Sequence, residues 1–192
     1  MNRPSSIALS ALVAVALALG CANANNADDK ADAGKKEAVA TIEPTTTGKA
    51  KGTVRFIEQG NGKLRVVARI EGLNPNQKHA MHVHEGTECG PDGMKAGGHY
   101  NPEKHEHGLP DKAQRHAGDL GNLTANAKGI AEYEITVDNI TINGQKNPVI
   151  GRAVIVHEKP DDGGQPTGNA GGRIGCGIIK LKGDKSADEH KH

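Results

Sequence analysis

Apolar and polar residues alternate along two short segments of this chain, KLRVVARIE at 63–71 and AEYEITVD at 131–138. A period of two residues is typical of a β-strand that buries one face. Three further segments, GTVRFIE, PVIGRAVIVHE and RIGCGIIKLK, are apolar and β-branched and also favour strands. Glycine, asparagine and proline separate these segments, and no long 3.6-residue period is present. The sequence therefore predicts an all-β fold, an antiparallel sandwich or barrel.

One long connection interrupts the strand pattern. Residues 86–118 contain no convincing strand, and a connection of this length is uncommon in a compact domain unless it serves a function. Its content indicates that function, because it is rich in histidine and leads directly into an aspartate. The residues concerned are His99, His105, His107, His116 and Asp119.

The segment HAMHVHE, at 79–85, precedes this connection. If it is a strand, alternation places His82 and His84 on the same face, where two imidazoles can take neighbouring positions around one metal ion. His-x-His alone is weak evidence, but the histidine-rich connection that follows strengthens it. Three imidazoles with one carboxylate suit a closed zinc site, whereas histidines with an open position suit copper. The residues thus predict a metal site and leave both metals open.

The first 20 residues have the layout of an export signal, with a basic start at Arg3, an uncharged run from Ile7 to Leu19 and small residues at the end. The run is too short to span a bilayer comfortably. ALGC, ending at Cys21, resembles a lipobox, so we expect Cys21 to be lipidated and the protein to be anchored at the periplasmic or cell-envelope membrane. Cleavage after Ala22-Asn23-Ala24 is the alternative and would discard Cys21.

Composition divides the rest of the chain into three parts. Residues 21–48 are polar and predict a flexible tether, residues 49–182 form the domain, and the charged tail 183–192, with His190 and His192, is expected to be disordered. With Cys21 lipidated or removed, Cys89 and Cys176 are left as an even pair in an oxidising compartment. They predict one disulfide, with two buried free thiols as the alternative.

Charge and aromatic content argue against nucleic acid as a partner. Without residues 1–20 the chain has 23 basic and 23 acidic residues, so no basic surface is indicated. The chain has one Phe, two Tyr and no Trp, which leaves few rings on which bases could stack.

Five separated segments carry a family resemblance: HVHE, GGHYNP, HAGDLGN, IVHEKPDD and GNAGGRIGCGII. In order, and nearly in spacing, they resemble the motifs of copper/zinc superoxide dismutases over roughly residues 48–181. The resemblance implies an eight-stranded Greek-key β-barrel, an architecture grouped with the immunoglobulin-like sandwiches, with two long functional loops. It also implies conversion of superoxide to oxygen and hydrogen peroxide by alternate reduction and oxidation of copper beside a structural zinc. Together with the export signal, it predicts defence of the cell envelope.

Matching the motifs residue by residue implies one copper and one zinc per subunit. His99 is shared by both metals and is expected to carry the proton that helps to form peroxide. The implied copper ligands are His82, His84, His99 and His157, and the implied zinc ligands are His99, His107, His116 and Asp119.

The resemblance assigns further roles around these ligands. Asp161 matches a carboxylate that links a copper-binding and a zinc-binding histidine, here His82 and His107, and so fixes their ring orientations. Arg173 matches the guanidinium that docks superoxide, and Thr167 matches its neighbour at the channel mouth.

Other matches concern structure rather than chemistry. Cys89 and Cys176 match the family's disulfide, which agrees with the cysteine count. His79 matches a histidine that hydrogen-bonds to backbone, whereas His105 matches nothing and is expected at the surface.

The chain departs from the family mainly where substrate approaches. Pro166 stands where animal enzymes carry a lysine, and Lys95 and Lys159 are candidates to replace its charge. Members of the family pair through different faces, so a homodimer is allowed but its interface is not indicated. A metal carrier on the same fold and a structural surface domain are the alternatives. The complete ligand set with its arginine favours the enzyme.

Overall fold

The computed structural model describes residues 32–183. The predicted export signal 1–20, Cys21 and the tail beyond Gly183 lie outside the described residues. Within them, no helix is long and apolar enough to cross a membrane. The elements are eight strands and one 3₁₀ turn: β1 Glu37–Pro44, β2 Lys51–Gly60, β3 Lys63–Glu71, β4 Lys78–His84, the turn Met94–Ala96, β5 Asp119–Thr124, β6 Ala131–Val137, β7 Ala153–His157 and β8 Arg173–Leu181.

The eight strands form one antiparallel sheet in the order β5-β4-β7-β8-β1-β2-β3-β6. The two end strands, β5 and β6, contact each other, so the sheet curls into a nearly closed barrel. The pairs β1–β8, β3–β6 and β4–β7 join strands that are not consecutive, as in a Greek key. The predicted eight-stranded Greek-key barrel is confirmed.

The period-two pattern of β3 places its apolar side chains inside the barrel. Leu64, Val66, Ala68 and Ile70 are at most 2% exposed. The neighbouring strand β6 pairs with β3 in register, with Val66 opposite Ile135. With the chain's single Phe at position 56 also buried, the core consists mostly of aliphatic side chains, as the composition requires.

The predicted tether extends too far along the chain. Residues 37–44, inside the expected tether 21–48, form β1, which pairs with β2 and β8 near the middle of the sheet. Its buried positions Ala38, Ala40 and Ile42 alternate with less buried ones, but two of the three are alanines and polar residues surround them. Small side chains fit the barrel interior but produce a weak hydropathy signal. Composition alone therefore did not predict this strand.

Strands β4 and β7 lie side by side and carry three of the predicted copper ligands, His82, His84 and His157. Met81 and Val83 belong to the main core, so alternation directs His82 and His84 to the outer face of the barrel. Two loops cover that face, residues 85–118 between β4 and β5 and residues 158–172 between β7 and β8. The sheet thus supplies a rigid wall, and the loops turn an exposed face into a buried one.

Candidate metal centre

Four histidines converge on the outer face of β4 and β7. One ring nitrogen from each lies within 4.8 Å of the other three, and all four side chains are buried, between 0% and 7% exposed. They are the predicted copper ligands His82, His84, His99 and His157.

Hydrogen bonds decide which nitrogen of each histidine faces the cluster. His84 Nδ1 donates to the carbonyl of Gly97 over 3.0 Å, which leaves Nε2 free, 3.4 Å from His157 Nε2. In His82 the orientation is reversed, because Nε2 lies 2.8 Å from a carboxylate oxygen of Asp161. Its Nδ1 is buried without a hydrogen-bond partner. A buried nitrogen aimed at three other imidazoles fits a metal ligand and is costly otherwise.

A second set lies directly beside the first. Its ligand atoms also fall within 4.8 Å of one another, and the residues are the predicted zinc ligands His99, His107, His116 and Asp119. His107 Nδ1 lies 3.0 Å from Asp119 Oδ2, but without hydrogen-bonding geometry. Three imidazoles and a carboxylate whose ligand atoms approach one point fit a tetrahedral zinc ion.

His99 belongs to both sets. Its Nδ1 lies 2.9 Å from Asp119 Oδ1 and 3.3 Å from His116 Nδ1, so this nitrogen faces the zinc set. Its other nitrogen therefore faces the copper set, and the ring of His82 is 4.0 Å away between centroids. The geometry agrees with the predicted shared imidazole.

Asp161 joins the two sets through its two oxygens. Oδ2 accepts from His82 Nε2 at 2.8 Å and Oδ1 accepts from His107 Nε2 at 2.9 Å. Gly168 makes room for this bridge, because its φ is +76° and a Cβ there would lie 2.1 Å from Asp161 Oδ1. The structure thus places Asp161 where the resemblance predicted it.

Burial keeps most of the copper-set histidines neutral. It lowers the pKa of His82 to about 4, although the hydrogen bond to Asp161 acts in the opposite direction. Burial, with the neighbouring imidazoles, also lowers the pKa of His84 and that of His157 well below the usual value. Metal binding requires neutral imidazoles, so these rings are ready to bind at neutral pH.

In the zinc set, by contrast, the pKa of His107 is raised, although burial lowers that of His116. Burial opposes protonation of His107, but Asp119 and Asp161 outweigh it and raise its pKa to about 9. Burial acts against ionisation of both carboxyl groups too, yet their histidine partners hold the pKa of Asp119 and of Asp161 well below the usual value. Two buried carboxylates that retain their charge here fit a divalent cation.

A cavity of about 580 Å³ opens onto the copper set. Its walls include three of the four histidines, so a small molecule in it would reach the metal position. Other residues in its lining are the predicted Thr167 and Arg173, with Lys159. Of the two lysines considered as replacements for the charge missing at Pro166, Lys159 lies at the cavity, whereas Lys95 pairs with Glu88 over 2.8 Å.

Arg173 is held firmly at the cavity wall. Its Nη1 donates to the carbonyl of Gly93 and its Nη2 to the carbonyl of Gly97, both over 2.6 Å. The hydroxyls of Thr45 and Thr47 donate to its own carbonyl. Loop 85–118 therefore holds the guanidinium of Arg173, and the segment after β1 helps to hold its backbone at the start of β8.

The predicted disulfide is confirmed. Cys89 and Cys176 are bonded, with Cα atoms 5.9 Å apart, and they connect loop 85–118 to β8. Because Arg173 lies three residues before Cys176, the bond ties the loop to the strand that carries the guanidinium.

Two histidines lie outside both metal sets. His79 is fully buried, donates from Nδ1 to the carbonyl of His157 over 2.9 Å and accepts from the Asn74 amide, as the resemblance predicted. His105 is 38% exposed in its side chain, which agrees with a surface residue.

Sequence reasoning missed two residues that hold the backbone of the site in place. The amide side chain of Asn122 makes two hydrogen bonds to the backbone of Asp161. Gln165 makes two to the backbone of His107. Asn122 stands within HAGDLGN, so its motif was visible, but its partner is far along the chain. No signal in the sequence singled out Gln165.

Comparisons with known proteins agree with this geometry. Residues 50–179 match the family model described as copper/zinc superoxide dismutase (SODC). Superoxide dismutase [Cu-Zn] 2 of Brassica juncea is 44% identical over 140 residues, which cover 69% of this chain and 91% of that protein. A solved structure described as the clock protein EA4 superposes with a TM-score of 0.69 at 36% identity, and the match covers 77% of this chain and 95% of that one. The chain belongs to the copper/zinc superoxide dismutase family, whose cofactors are copper and zinc.

Proposed function

We propose that this protein disproportionates superoxide at the cell envelope, with the residues of the two histidine sets as its metal ligands. Copper held by His82, His84, His99 and His157 would supply an acceptor and donor of single electrons for superoxide. The observation that carries the proposal is the joining of this cluster, through His99, to a second set suited to zinc.

His99 holds the proton that peroxide needs. Its Nδ1 is directed at Asp119 and the zinc set, so a proton gained by the ring belongs on Nε2, the nitrogen that faces the copper set and the cavity. The ring is only 7% exposed and keeps its orientation from the zinc side. A proton on Nε2 would therefore be available to a small molecule that occupies the cavity.

Asp161 orients rather than reacts. Its bonds to His82 and His107 fix both ring tautomers, so Nδ1 of each ring is left to face the other members of its ligand set. A carboxylate shared in this way couples the two sets, because displacement of either ring moves the other.

Arg173 attracts and docks the anion. Its guanidinium is positive at all working pH values, although burial lowers its pKa somewhat. Lys159 adds a second positive charge to the cavity lining, and Thr167 offers a hydroxyl there. Together they raise the encounter rate of a small anion.

The cell-envelope location is part of the proposal and rests on the N-terminal sequence. An export signal over residues 1–20 and lipidation of Cys21 would leave the barrel outside the membrane on a tether that ends before β1. Mass spectrometry of the native N-terminus tests this, because an unmodified start at Asn25 contradicts lipidation.

We include a homodimer in the proposal. A groove of about 450 Å³ runs along the outer face of β1 and β8, and its lining includes the apolar Val39, Ile178 and Leu181 beside the charged Glu43 and Lys180. Sedimentation of wild type and of Ile178→Lys tests pairing through this groove. If the wild type is a dimer, a lysine at this apolar position should convert it to a monomer; if the wild type is a monomer, both proteins should sediment alike.

One comparison of variants tests the catalytic proposal. The copper- and zinc-loaded protein should consume superoxide well above free copper, and His157→Ala should bind less copper and lose this activity. His105→Ala is the matched control, since it removes a histidine outside both sets, and should retain full activity. A fully loaded wild type without activity above free copper would instead favour a metal carrier.

A further inference from the structure

Among the residues that the structure describes, Met94 is the one large hydrophobic residue whose side chain is exposed. It is 62% exposed, whereas Met81, on β4, is fully buried. Its side chain contributes to the wall of the cavity that reaches His84, His99 and His157. A thioether therefore stands in solvent at the mouth of the copper cavity.

The backbone that carries this thioether is held by the same contacts that hold Arg173. The 3₁₀ turn Met94–Ala96 is flanked by Gly93 and Gly97, whose carbonyls accept the two hydrogen bonds of the guanidinium. The backbone amide of Met94 donates to Asp92 Oδ1 over 3.0 Å. Met94 thus belongs to an ordered turn and not to a loose loop end.

The charge of this cavity favours an anion but opposes a metal cation. Its lining, in the part of the chain that the structure describes, contains the cations Lys159 and Arg173 and no carboxylate. The four copper-set histidines are buried behind it, so copper that comes this way must pass both charges. Coulomb repulsion scales with the charge of the ion, so a monovalent ion meets half the repulsion of a divalent one.

A thioether suits this passage in two ways. It is neutral, so it binds a cation without adding to the charge at the mouth, and it is a soft ligand, which selects Cu(I) over Zn(II). Imidazoles, which also bind copper, lie deeper in the same cavity. An ion bound first at the mouth can therefore be passed to stronger ligands.

We propose that Met94 is the first ligand of incoming copper, which it receives as Cu(I) and passes to the four buried histidines. The inference rests on the assignment of those histidines as the copper site. It adds an uptake ligand that takes no part in turnover, and its test measures bound copper rather than activity.

The experiment uses the full chain loaded with zinc but free of copper. Cu(I) is presented anaerobically as its glutathione complex, and protein-bound copper is measured against time by atomic spectrometry. Met94→Leu keeps the bulk and removes the sulfur, so it should take up Cu(I) about fivefold more slowly and reach the same final copper content. Uptake of Cu(II), for which a thioether is a poor ligand, should be unchanged.

Two control variants distinguish copper binding by the sulfur from an effect of side-chain size or of the turn. Met94→Ser removes both bulk and sulfur and should also be slow, whereas a residue that merely obstructs the cavity would give faster uptake when shortened. Lys95→Gln alters the same turn at a side chain that pairs with Glu88, and should take up copper normally.

Uptake of Cu(I) by Met94→Leu at the wild-type rate, or an equal slowing with Cu(II), overturns the proposal. Turnover of the fully loaded wild type is measured in parallel. An inactive but normally loaded protein would contradict the proposed function while leaving the role of Met94 intact.

Discussion

Nε2 of His82 lies 2.8 Å from Oδ2 of Asp161, and both side chains are fully buried. This bond commits the outer nitrogen of His82 to the carboxylate and leaves Nδ1 for copper. Through its other oxygen the same carboxylate sets His107 on the zinc side. One residue outside both ligand sets therefore orients one histidine in each.

Asp161→Asn should weaken the binding of both copper and zinc. An amide accepts through its oxygen only, so one of the two rings loses its partner, and the other ring exchanges a charge-assisted hydrogen bond for a weaker neutral one. Loss of an orienting partner of this kind costs about 10- to 100-fold in metal affinity. Chelator competition measures both affinities. Asp162→Asn is the matched control, because Asp162 is exposed and bonds Asn169 instead, and it should bind both metals normally.

Arg173→Ala should lower kcat/KM by about 10- to 100-fold and flatten its dependence on ionic strength, because a fixed positive charge at the cavity is lost. Stopped-flow consumption of superoxide at several salt concentrations measures both effects. Arg173→Lys should fall between the two proteins, since a single ammonium cannot reach the Gly93 and Gly97 carbonyls with the geometry of a guanidinium. Equal salt dependence in all three would contradict steering by this residue.

Much of this site could be predicted because its ligands stand in local motifs. His82 and His84 share a strand, and their spacing alone places them on one face. What joins them to His157 and Asp161 is the pairing of β4 with β7 and the return of loop 158–172, which local patterns do not describe. The family resemblance, not periodicity, therefore supplied the partners.

The residues that the sequence did not reveal act through the backbone. Asn122, Gln165 and Thr45 hold a ligand, a bridge or the arginine by hydrogen bonds to main-chain atoms. Any polar side chain of suitable length can make such a bond, so composition carries little trace of it. The strand β1 was not predicted because the buried Ala38 and Ala40 produce only a weak apolar pattern.

Removal of the disulfide should destabilise the barrel and loosen the cavity. Cys89 and Cys176 are 87 residues apart, and loss of a native disulfide typically costs about 2 to 5 kcal/mol. The double variant Cys89→Ser/Cys176→Ser should show this loss in denaturant unfolding, and reduced wild type should match it. Unchanged stability would mean that packing alone holds loop 85–118 against β8.

The metal-free protein holds histidines whose pKa values move in opposite directions. Burial lowers the pKa of His82 to about 4 and that of His84 and His157 well below normal. Below about pH 6.5 these histidines therefore bind protons in the unfolded chain but not in the folded one. The free energy of unfolding consequently falls as pH falls. For His107, Asp119 and Asp161 overcome the effect of burial and raise the pKa to about 9. Above pH 6.5 the folded chain keeps a proton that the unfolded chain loses, so stability also falls as pH rises.

The free energy of unfolding of the metal-free protein should therefore peak near pH 6.5. On the acid side His82 alone contributes a slope of up to about 1.4 kcal/mol per pH unit until its folded pKa is reached. On the alkaline side the slope should be shallower, because His107 acts there alone, whereas His82, His84 and His157 act together on the acid side. Urea unfolding in a chelator between pH 4.5 and 9 measures the profile. His107→Gln should abolish the alkaline fall and keep the acid one, and a metal-free protein that is most stable near pH 9 would contradict the opposed titrations.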